Sequence, residues 1–364
     1  MVNITSVDLL SLAVSIPYAQ QLESLTSLAN NSIQFVAYNE SFVTGILGPN
    51  VSSSLISHQP YQAFHEAGVY NKATNSIYMS SNWAGNLSNP INTTVLHLDD
   101  YSITSTRYPN VSEGNGGSVF YPPGTPANSS AGQLLLFCDE GDFNDYSKLT
   151  LVDPVTNDTR VLVNSFFGRN FSSLNDVEQH YETGDVWFTD ARYGYWQYFD
   201  PLPSIPPQVY RFEPDTGVLQ AVADGFVAPN GIEFSPDFKH LYVTDTGARQ
   251  FSNENNMTYP ATIYRYDITP DKKGLQNRRL FAYADRGIPD GIHTDTMGNV
   301  YSGCGDGINV WNPEGVLLGK MLTPITAANF AFIPDGMIIL NEDRLFKVTL
   351  KAEGRTVKRD FGLY

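Results

Sequence analysis

The stretch 226–247, FVAPNGIEFSPDFKHLYVTDTG, decides the fold. An Asn-Gly pair stands before one hydrophobic run, a polar turn follows, and a second β-rich run ends in Asp245. Runs of this kind, bounded by Pro, Asp and Gly, are typical of a β-hairpin. Similar hairpins, each with an oxygen-bearing residue ahead of its first strand, occur at 64–82 (FHEAGVYNKATNSIYMSSN), 173–194 (SLNDVEQHYETGDVWFTDARYG) and 288–307 (IPDGIHTDTMGNVYSGCGDG). The hairpin is therefore an internal repeat.

This repeat occurs six times along the chain. Its second strands begin at 75, 132, 184, 239, 298 and 336. Units of roughly 40–60 residues, each made of several short strands, indicate the blades of a β-propeller. The sequence therefore predicts an all-β protein, with a single six-bladed β-propeller at 31–364 after an N-terminal extension at 1–30. A pair of β-sandwiches is the alternative architecture, although sandwiches do not repeat one motif six times.

The two ends of the repeat array suggest how the ring closes. The last unit, around 325–352, is short of strands, and residues 33–47 (IQFVAYNESFVTGIL) precede the first unit. We expect the N-terminal strand to pair into the last blade and close the ring.

The heads of the innermost strands are predicted to meet at one point. Innermost strands surround the propeller axis, so equivalent positions lie at the same height around it. Aligning the units places oxygen-bearing side chains at five heads, and in the second unit the alignment points near Gly117, which has no donor. The five are Glu66, Asn175, Asn230, Asp290 and Asn329.

Carboxylate and amide oxygens without Cys or His favour a hard cation. Ca²⁺ is the first choice, then Mn²⁺ or Mg²⁺, ahead of Zn²⁺. We expect Glu66, Asn175, Asn230 and Asp290 to bind this ion, with Asn329 behind them. The alternative is that Asn and Asp begin these strands only because they form good turns.

The second strand of each hairpin returns to the same face. Its predicted ends include Cys138, Asp190, Asp245 and Cys304. Asp190 and Asp245 are expected to orient the ligand amides. The two cysteines belong to opposite units, too far apart for a disulfide, so both are predicted to be buried free thiols.

These motifs, in this order and at this spacing, resemble the senescence-marker-protein/gluconolactonase family. Within it they are most similar to secreted fungal lactonohydrolases of the D-pantolactone hydrolase type. The resemblance implies a six-bladed propeller with one divalent metal, usually calcium, bound by Glu66, Asn230 and Asp290. It also implies that Asn175 contacts the metal or the substrate. The chain departs from the family at Glu66-Ala67-Gly68, where Glu-Gly-Pro is common, and by a long insertion at 114–132.

The predicted chemistry is the hydrolysis of a small polar lactone, of the aldonolactone or pantolactone type, to its hydroxy acid. A metal would polarise the carbonyl. Asp290 is the candidate base or nucleophile, a choice that the sequence leaves open, and Asn175 is the second catalytic candidate. Strand alternation predicts that His65 and His293 point away from the metal, as packed or supporting residues.

Loops at the metal-binding mouth are expected to contact the substrate. Trp83 follows the first hairpin, and Arg192 and Tyr193 follow the third. Two other functions stay open: a non-catalytic propeller with a structural calcium, and a related propeller hydrolase that acts on organophosphates or hydrophobic lactones.

Net charge, hydropathy and glycosylation motifs indicate the partners and the location expected for the protein. A net charge of −16 argues against a nucleic-acid partner, and no apolar run approaches the ~20 residues of a membrane span. Eleven Asn-x-Ser/Thr sequons predict a secreted glycoprotein whose signal peptide has been removed. The oligomeric state stays open, with a homodimer among the alternatives.

Overall fold

The computed structural model describes residues 2–25, 31–126, 129, 132–251 and 255–360. Six small sheets, antiparallel except for one N-terminal strand pair, form the blades of a propeller, as predicted. Neighbouring blades pack against each other through their innermost strands, which surround a central channel. In the described residues, no helix is long and apolar enough to cross a membrane.

Blades one to four each contain four strands, ordered from the channel outward. Blade one consists of Glu66–Asn71, Ser76–Ser80, Thr93–His97 and Ile103–Thr106. Blade two consists of Gly114–Phe120, Leu134–Asp139, Lys148–Val152 and Thr159–Val163. Blade three consists of Leu174–Gln179, Val186–Asp190, Gln208–Phe212 and Leu219–Ala223. Blade four consists of Pro229–Phe234, His240–Asp245, Thr262–Ile268 and Leu275–Tyr283.

Two small elements lie outside these blades in the same region of the chain. A short hairpin, Ser165–Phe166 with Arg169–Asn170, links blades two and three. One helical turn, Tyr193–Trp196, follows the second strand of blade three.

Blade five is enlarged by the N-terminal part of the chain. Its four repeat strands are Ile292–Thr294, Val300–Cys304, Gly307–Trp311 and Leu317–Leu322. Gln34–Ala37 pairs antiparallel with the last of them, and Ile4–Ser6 pairs parallel with Gln34–Ala37. Helices Leu9–Val14 and Ile16–Leu25 follow Ile4–Ser6. Part of the predicted extension therefore lies on the outer edge of this blade.

Blade six is completed by a strand from the N-terminal side, so the ring closes as predicted, but the closing strand is Ser52–His58 and does not come from residues 33–47, whose strand Gln34–Ala37 pairs with blade five. Its own strands are Asn329–Ile333, Gly336–Asn341 and Arg344–Thr349. Ser52–His58 pairs antiparallel with the last of these. The closing strand thus follows residues 33–47, of which Phe42–Leu47 form a π-helical turn.

A register shift interrupts the innermost strands of blades one to four. It lies between residues 67 and 69, 114 and 117, 174 and 177, and 229 and 232. Such bulges redirect side chains at the end of a strand. In blade two the shift includes Gly116, where a Cβ atom would lie 2.4 Å from the carbonyl oxygen of Asn175. Only glycine lets blades two and three approach this closely.

The C-terminal helix, Arg355–Asp360, closes the end of the channel opposite the strand heads. The Arg355 guanidinium is fully buried and contacts the carboxylates of Glu178 at 2.5 Å and Glu233 at 2.7 Å. These glutamates lie on innermost strands, three residues after Asn175 and Asn230. The helix therefore places a positive charge between two carboxylates that face the channel.

Cys138 and Cys304 are both buried and unbridged. The prediction of two free thiols is confirmed.

Candidate active site

The innermost strands of blades two, three and four begin at equivalent positions in their strand pairing. Gly114, Leu174 and Pro229 pair with the last residues of the neighbouring strands, and the next residue in each case is an asparagine. These asparagines line one cavity of about 400 Å³ at the channel mouth, together with Glu66 and Asp290. The three are Asn115, Asn175 and Asn230.

Asn115 was missed by the sequence alignment. The position expected in the second unit, near Gly117, is wrong by two residues, because Gly117 lies after the register shift and pairs with Phe137. Blade two therefore contributes an oxygen-bearing side chain, as its neighbours do.

Five buried side-chain oxygens at this mouth have no hydrogen-bond partner in the described structure. Four stand at strand heads, namely Glu66 Oε1, Asn115 Oδ1, Asn175 Oδ1 and Asn230 Oδ1, and the fifth is Gln197 Oε1 in the cavity wall. A buried oxygen without a partner costs about 1–3 kcal/mol, so this arrangement favours a bound positive ion. The donor types fit a hard divalent cation.

The second carboxylate oxygen of Glu66 accepts a hydrogen bond from a residue that does not line the cavity. Asn329 Nδ2 donates to Glu66 Oε2 at 2.8 Å, while Asn329 Oδ1 accepts from the Phe330 N–H. Asn329 itself is not among the residues that line the cavity. It orients the Glu66 carboxylate so that Oε1 faces the channel mouth.

The site is rich in amides and poor in acids. No three His, Cys, Asp or Glu side chains group as metal ligands in the part of the chain that the structure describes. Among the strand-head side chains the carboxylates are Glu66 and Asp290 and the rest are amides, while a third carboxylate in the cavity wall, Glu342, is paired with His65. Such a set resembles calcium sites, which accept amide oxygens, more than zinc sites.

Burial and a neighbouring carboxylate disfavour the ionisation of both Glu66 and Asp290. Burial, and then Asp290, raise the pKa of Glu66 well above its usual value. Burial raises the pKa of Asp290 to about 6, and Glu342 adds to the effect whereas His65 opposes it. A divalent cation between these carboxylates would lower the pKa of both. The electrostatics of the site therefore also favour a cation.

His65 lies in the cavity, so the prediction that it points away is wrong. Its Nδ1 is 2.9 Å from Glu342 Oε1, and both residues line the mouth. Residue 65 precedes the innermost strand, so strand alternation does not apply to it. Burial alone would lower the pKa of His65, but Glu342 raises it to about 10.

His293 lies below the site. Its Nδ1 is 3.3 Å from Glu233 Oε2, near the C-terminal helix, and it is not among the residues that line the mouth. This position agrees with the alternation argument.

The aspartates that recur at the strand ends accept hydrogen bonds from main-chain N–H groups. Asp190 accepts from the N–H groups of Ser172 and Ser173, and Asp245 accepts from those of Val227 and Ala228. They therefore hold the segments that lead into the innermost strands, and their oxygens do not contact the ligand amides as expected. In blade two the matching residue is Asp139 rather than Cys138, since Asp139 pairs with Gly114 and accepts from the Glu113 N–H.

Of the three loop residues predicted to contact the substrate, one lines the cavity, as does the fourth predicted contact, Asn175. Tyr193 does so, and its hydroxyl hydrogen bonds to Thr246 Oγ1. The guanidinium carbon of Arg192 lies 5.8 Å from the ring centroid of Trp196 and does not line the cavity. Trp83 packs on Phe199, with ring centroids 4.5 Å apart, beside a neighbouring depression.

The upper wall of the cavity is formed by polar side chains that the sequence motifs did not identify. They are Gln62, Asn82, Gln197, Arg249 and Asn255, and the apolar side chains at the same mouth are few: Ile288, Ile325 and Ala327. Asn82 Nδ2 donates to Glu342 Oε2 at 3.0 Å, which links this wall to His65. The cavity suits a ligand with several hydroxyl groups.

A larger cavity of about 560 Å³ lies at the opposite face, among the turns of blades two to four. Its central charge, Arg211, is buried and already paired with Asp185 and Glu213. Among the described residues, none that lines this larger cavity has a buried side-chain oxygen without a partner, whereas the strand heads have four, so the smaller cavity is the candidate site.

A six-bladed propeller with oxygen donors converging at one channel mouth is the architecture of a class of propeller hydrolases. The family model described as SMP-30/Gluconolactonase/LRE-like region matches residues 122–340. The chain belongs to this family.

Named relatives agree on the type of reaction. The chain is 33% identical to the lactonohydrolase oryL of Aspergillus oryzae over 319 residues, 82% of this chain and 69% of the relative. It is 33% identical to a gluconolactonase of Zymomonas mobilis over 175 residues, 46% of each protein. A solved gluconolactonase from Xanthomonas campestris superposes with a TM-score of 0.66 at 25% identity, covering 83% of this chain and 91% of that one. The protein is a lactone hydrolase.

Proposed function

We propose that the protein opens a small polar lactone to its hydroxy acid with the help of a divalent cation, calcium first. Glu66, Asn175, Asn230 and Asp290 would hold the ion. The observation that carries this proposal is the set of buried oxygens without partners at the channel mouth. Mn²⁺, Mg²⁺ and Zn²⁺ are the alternatives, in falling order of fit to these donors.

The bound cation would polarise the lactone carbonyl and stabilise the negative charge that develops on its oxygen. Asp290 takes a proton from the attacking water, and the same carboxyl returns it to the ring oxygen as the acyl carbon–oxygen bond breaks. The atoms of one water are thereby added across the ester bond. Asp290 is half-buried and lines the cavity, so it can reach both the water and the substrate.

The other residues position the reactants. The Asn175 amide holds the cation or the substrate, and Tyr193 closes one side of the cavity. His65 Nδ1 pairs with Glu342 Oε1, so we assign His65 the role of a positioned hydrogen-bond donor and not that of the base.

The walls support a hydroxylated substrate over a hydrophobic one. Amide side chains and Arg249 outnumber the aliphatic side chains at the mouth. An aldonolactone or pantolactone can hydrogen-bond to a polar wall of this kind, whereas a long-chain lactone or an aryl organophosphate would cover it with apolar surface. Two similar proteins are named gluconolactonases, in line with this choice.

The test is acid release in a pH-stat with gluconolactone, D- and L-pantolactone and a homoserine lactone. Each lactone is measured before chelation, after chelation, and after adding back Ca²⁺, Mn²⁺ or Zn²⁺. Turnover that stops on chelation and returns with one ion supports the proposal and names the ion. Cation binding without turnover on any lactone would replace it with the non-catalytic calcium platform.

We also propose that the protein is an extracellular glycoprotein. Asn30 and Asn128 lie outside the described residues, Asn92 is half-buried, and the remaining sequon asparagines are exposed: Asn3, Asn39, Asn50, Asn86, Asn110, Asn157, Asn170 and Asn256. Glycans at these positions would not disturb the core. A mass decrease on enzymatic deglycosylation of the native protein would support the proposal, and an unglycosylated protein in the native culture fluid would contradict the glycan assignment.

A further inference from the structure

Asn115 is held in one orientation by a buried acid. Its Nδ2 donates to Glu140 Oε1 at 2.5 Å, and both residues are at least nine-tenths buried. Glu140 accepts through both of its oxygens, from Asn115 Nδ2 and from Ser173 Oγ, so the amide nitrogen of Asn115 faces Glu140. Asn115 Oδ1 must then face the cavity, where it has no partner.

The second oxygen of Glu140 extends the contact to blade three. Ser173 Oγ donates to Glu140 Oε2, and the same Ser173 oxygen accepts from the Gly194 N–H at 3.0 Å. Gly194 belongs to the helical turn that begins with Tyr193. One buried carboxylate thus orients an amide of the ring and anchors the turn that carries a cavity wall.

Asn115 also occupies the same register position as two proposed ligands. It follows Gly114 as Asn175 follows Leu174 and Asn230 follows Pro229. Equivalent positions in a propeller lie at the same height around the axis. Its oxygen therefore lies at the level of theirs.

We propose that Asn115 is a direct oxygen ligand of the central cation and that Glu140 is the positioning residue that keeps it so. This inference rests on the proposed function, because it assumes that the site binds a divalent cation. It adds blade two to the blades that contribute ligands.

The ligand role is tested with Asn115→Leu, which keeps the size of the side chain and removes its oxygen. Calcium affinity is measured by calorimetry, and the number of water molecules bound to Tb³⁺ by its luminescence lifetimes in H₂O and D₂O. We expect calcium affinity to fall about 10–100-fold, and the count of bound waters to rise by about one as water replaces the lost oxygen. An unchanged water count, with or without a change in affinity, overturns direct ligation.

The positioning role is tested by exchanging the charge between the two residues. Glu140→Gln lets residue 140 donate a hydrogen bond, which turns Asn115 Nδ2 toward the cation, so affinity should fall by a similar factor. The double variant Asn115→Asp/Glu140→Gln has the original net charge and again directs an oxygen into the cavity, so it should bind calcium within about threefold of the original protein. Failure of the double variant to regain affinity overturns the role of Glu140.

Glu113→Gln is the matched control for loss of a buried acid in blade two. Glu113 accepts from the Ile91 N–H at 2.8 Å, a bond that glutamine can keep, and calcium affinity should stay within about threefold. An equal loss in this control would assign the effect of Glu140→Gln to charge alone and overturn the positioning role. If the original protein binds no divalent cation, the proposed function fails as well, which distinguishes that result from failure of Asn115 alone.

Discussion

Replacing Arg355 with methionine should destabilise the propeller strongly. The guanidinium is fully buried and is the shared partner of Glu178 and Glu233, whose side chains are 5% and 2% exposed. Methionine fills a similar volume but removes the cation that both carboxylates contact most closely, leaving Arg359 at 4.0 Å from Glu178 and His293 at 3.3 Å from Glu233. Breaking a buried ion pair by removing one member costs about 3–5 kcal/mol. If each kcal/mol shifts Tm by about 2 °C in a chain of this size, Tm should fall by about 6–10 °C.

Arg279→Met is the matched control. Arg279 contacts Asp267 at 2.6 Å, but its side chain is 45% exposed, and an exposed pair contributes about 0–1 kcal/mol. Both variants are compared with the original protein by urea unfolding and by calorimetry at pH 7. Equal losses in the two variants, or a loss below about 1 kcal/mol for Arg355→Met, would refute the reasoning about buried charge.

The pH dependence gives a second check on the same variant. Burial raises the pKa of Glu178, and Arg355 opposes that effect. Burial would also raise the pKa of Glu233, but Arg355 and His293 hold it below its usual value. Without Arg355 both folded-state pKa values should lie above the unfolded value of about 4.3. A buried carboxyl with a raised pKa destabilises the folded protein increasingly as the pH rises and the carboxyl ionises. The loss in free energy of unfolding caused by Arg355→Met should therefore shrink as the pH falls toward 4.

Three further predictions follow from other parts of the structure. Calcium at about 100 times its dissociation constant should stabilise the protein by about 2.7 kcal/mol, which is measured as a rise in Tm. Glu66→Gln should lose most of that rise in Tm. If calcium does not raise the Tm of the original protein, the cation site is contradicted. Burial lowers the pKa of His180 to about 4, so this residue should reduce the free energy of unfolding by about 2–3 kcal/mol between pH 6.5 and 4.5. His180→Phe should remove that contribution to the pH dependence measured by urea unfolding. An unchanged pH dependence in the variant would contradict the prediction. Gly116→Ala should lower the free energy of unfolding by about 1–3 kcal/mol or more, because the new Cβ meets the Asn175 carbonyl. In the control Gly45→Ala the new Cβ meets nothing within 4 Å, so stability in urea should change far less. Similar losses in the two variants would contradict the packing argument.

The fold was predictable because its signal is repeated. Six hairpins with the same alternation identify a propeller even where single strands are ambiguous. The closing strand was harder to locate, since Ser52–His58 is rich in serine and short of the apolar alternation that marks the other strands. Residues 34–37, which are more apolar, pair with blade five instead.

The candidate site was predictable where a motif fixed the register. Glu66, Asn175, Asn230 and Asp290 line one cavity because each stands at a strand head. Asn115 was missed because its strand begins Gly-Asn-Gly-Gly, which offers no hydrophobic alternation from which to read the register shift.

Loop residues could not be placed from sequence. Trp83 and Arg192 are near the mouth along the chain, but each packs on an aromatic side chain of its surroundings. Glu342 joins the site from the far end of the chain, and only the closed ring brings it to His65. Long-range pairing of this kind leaves no local pattern.

The strand that closes blade six has a consequence for synthesis of the chain. Ser57 pairs with Leu345, so the closing strand leaves the ribosome long before its partner exists. Contacts between segments so distant in sequence form late and slowly. Until then Ser52–His58 is an unpaired edge, a kind of segment that invites pairing with other chains, and its serines and histidine reduce that tendency compared with an apolar strand. Truncation of the last blade would therefore leave an open ring with a permanently exposed edge, prone to aggregate rather than to form a smaller propeller.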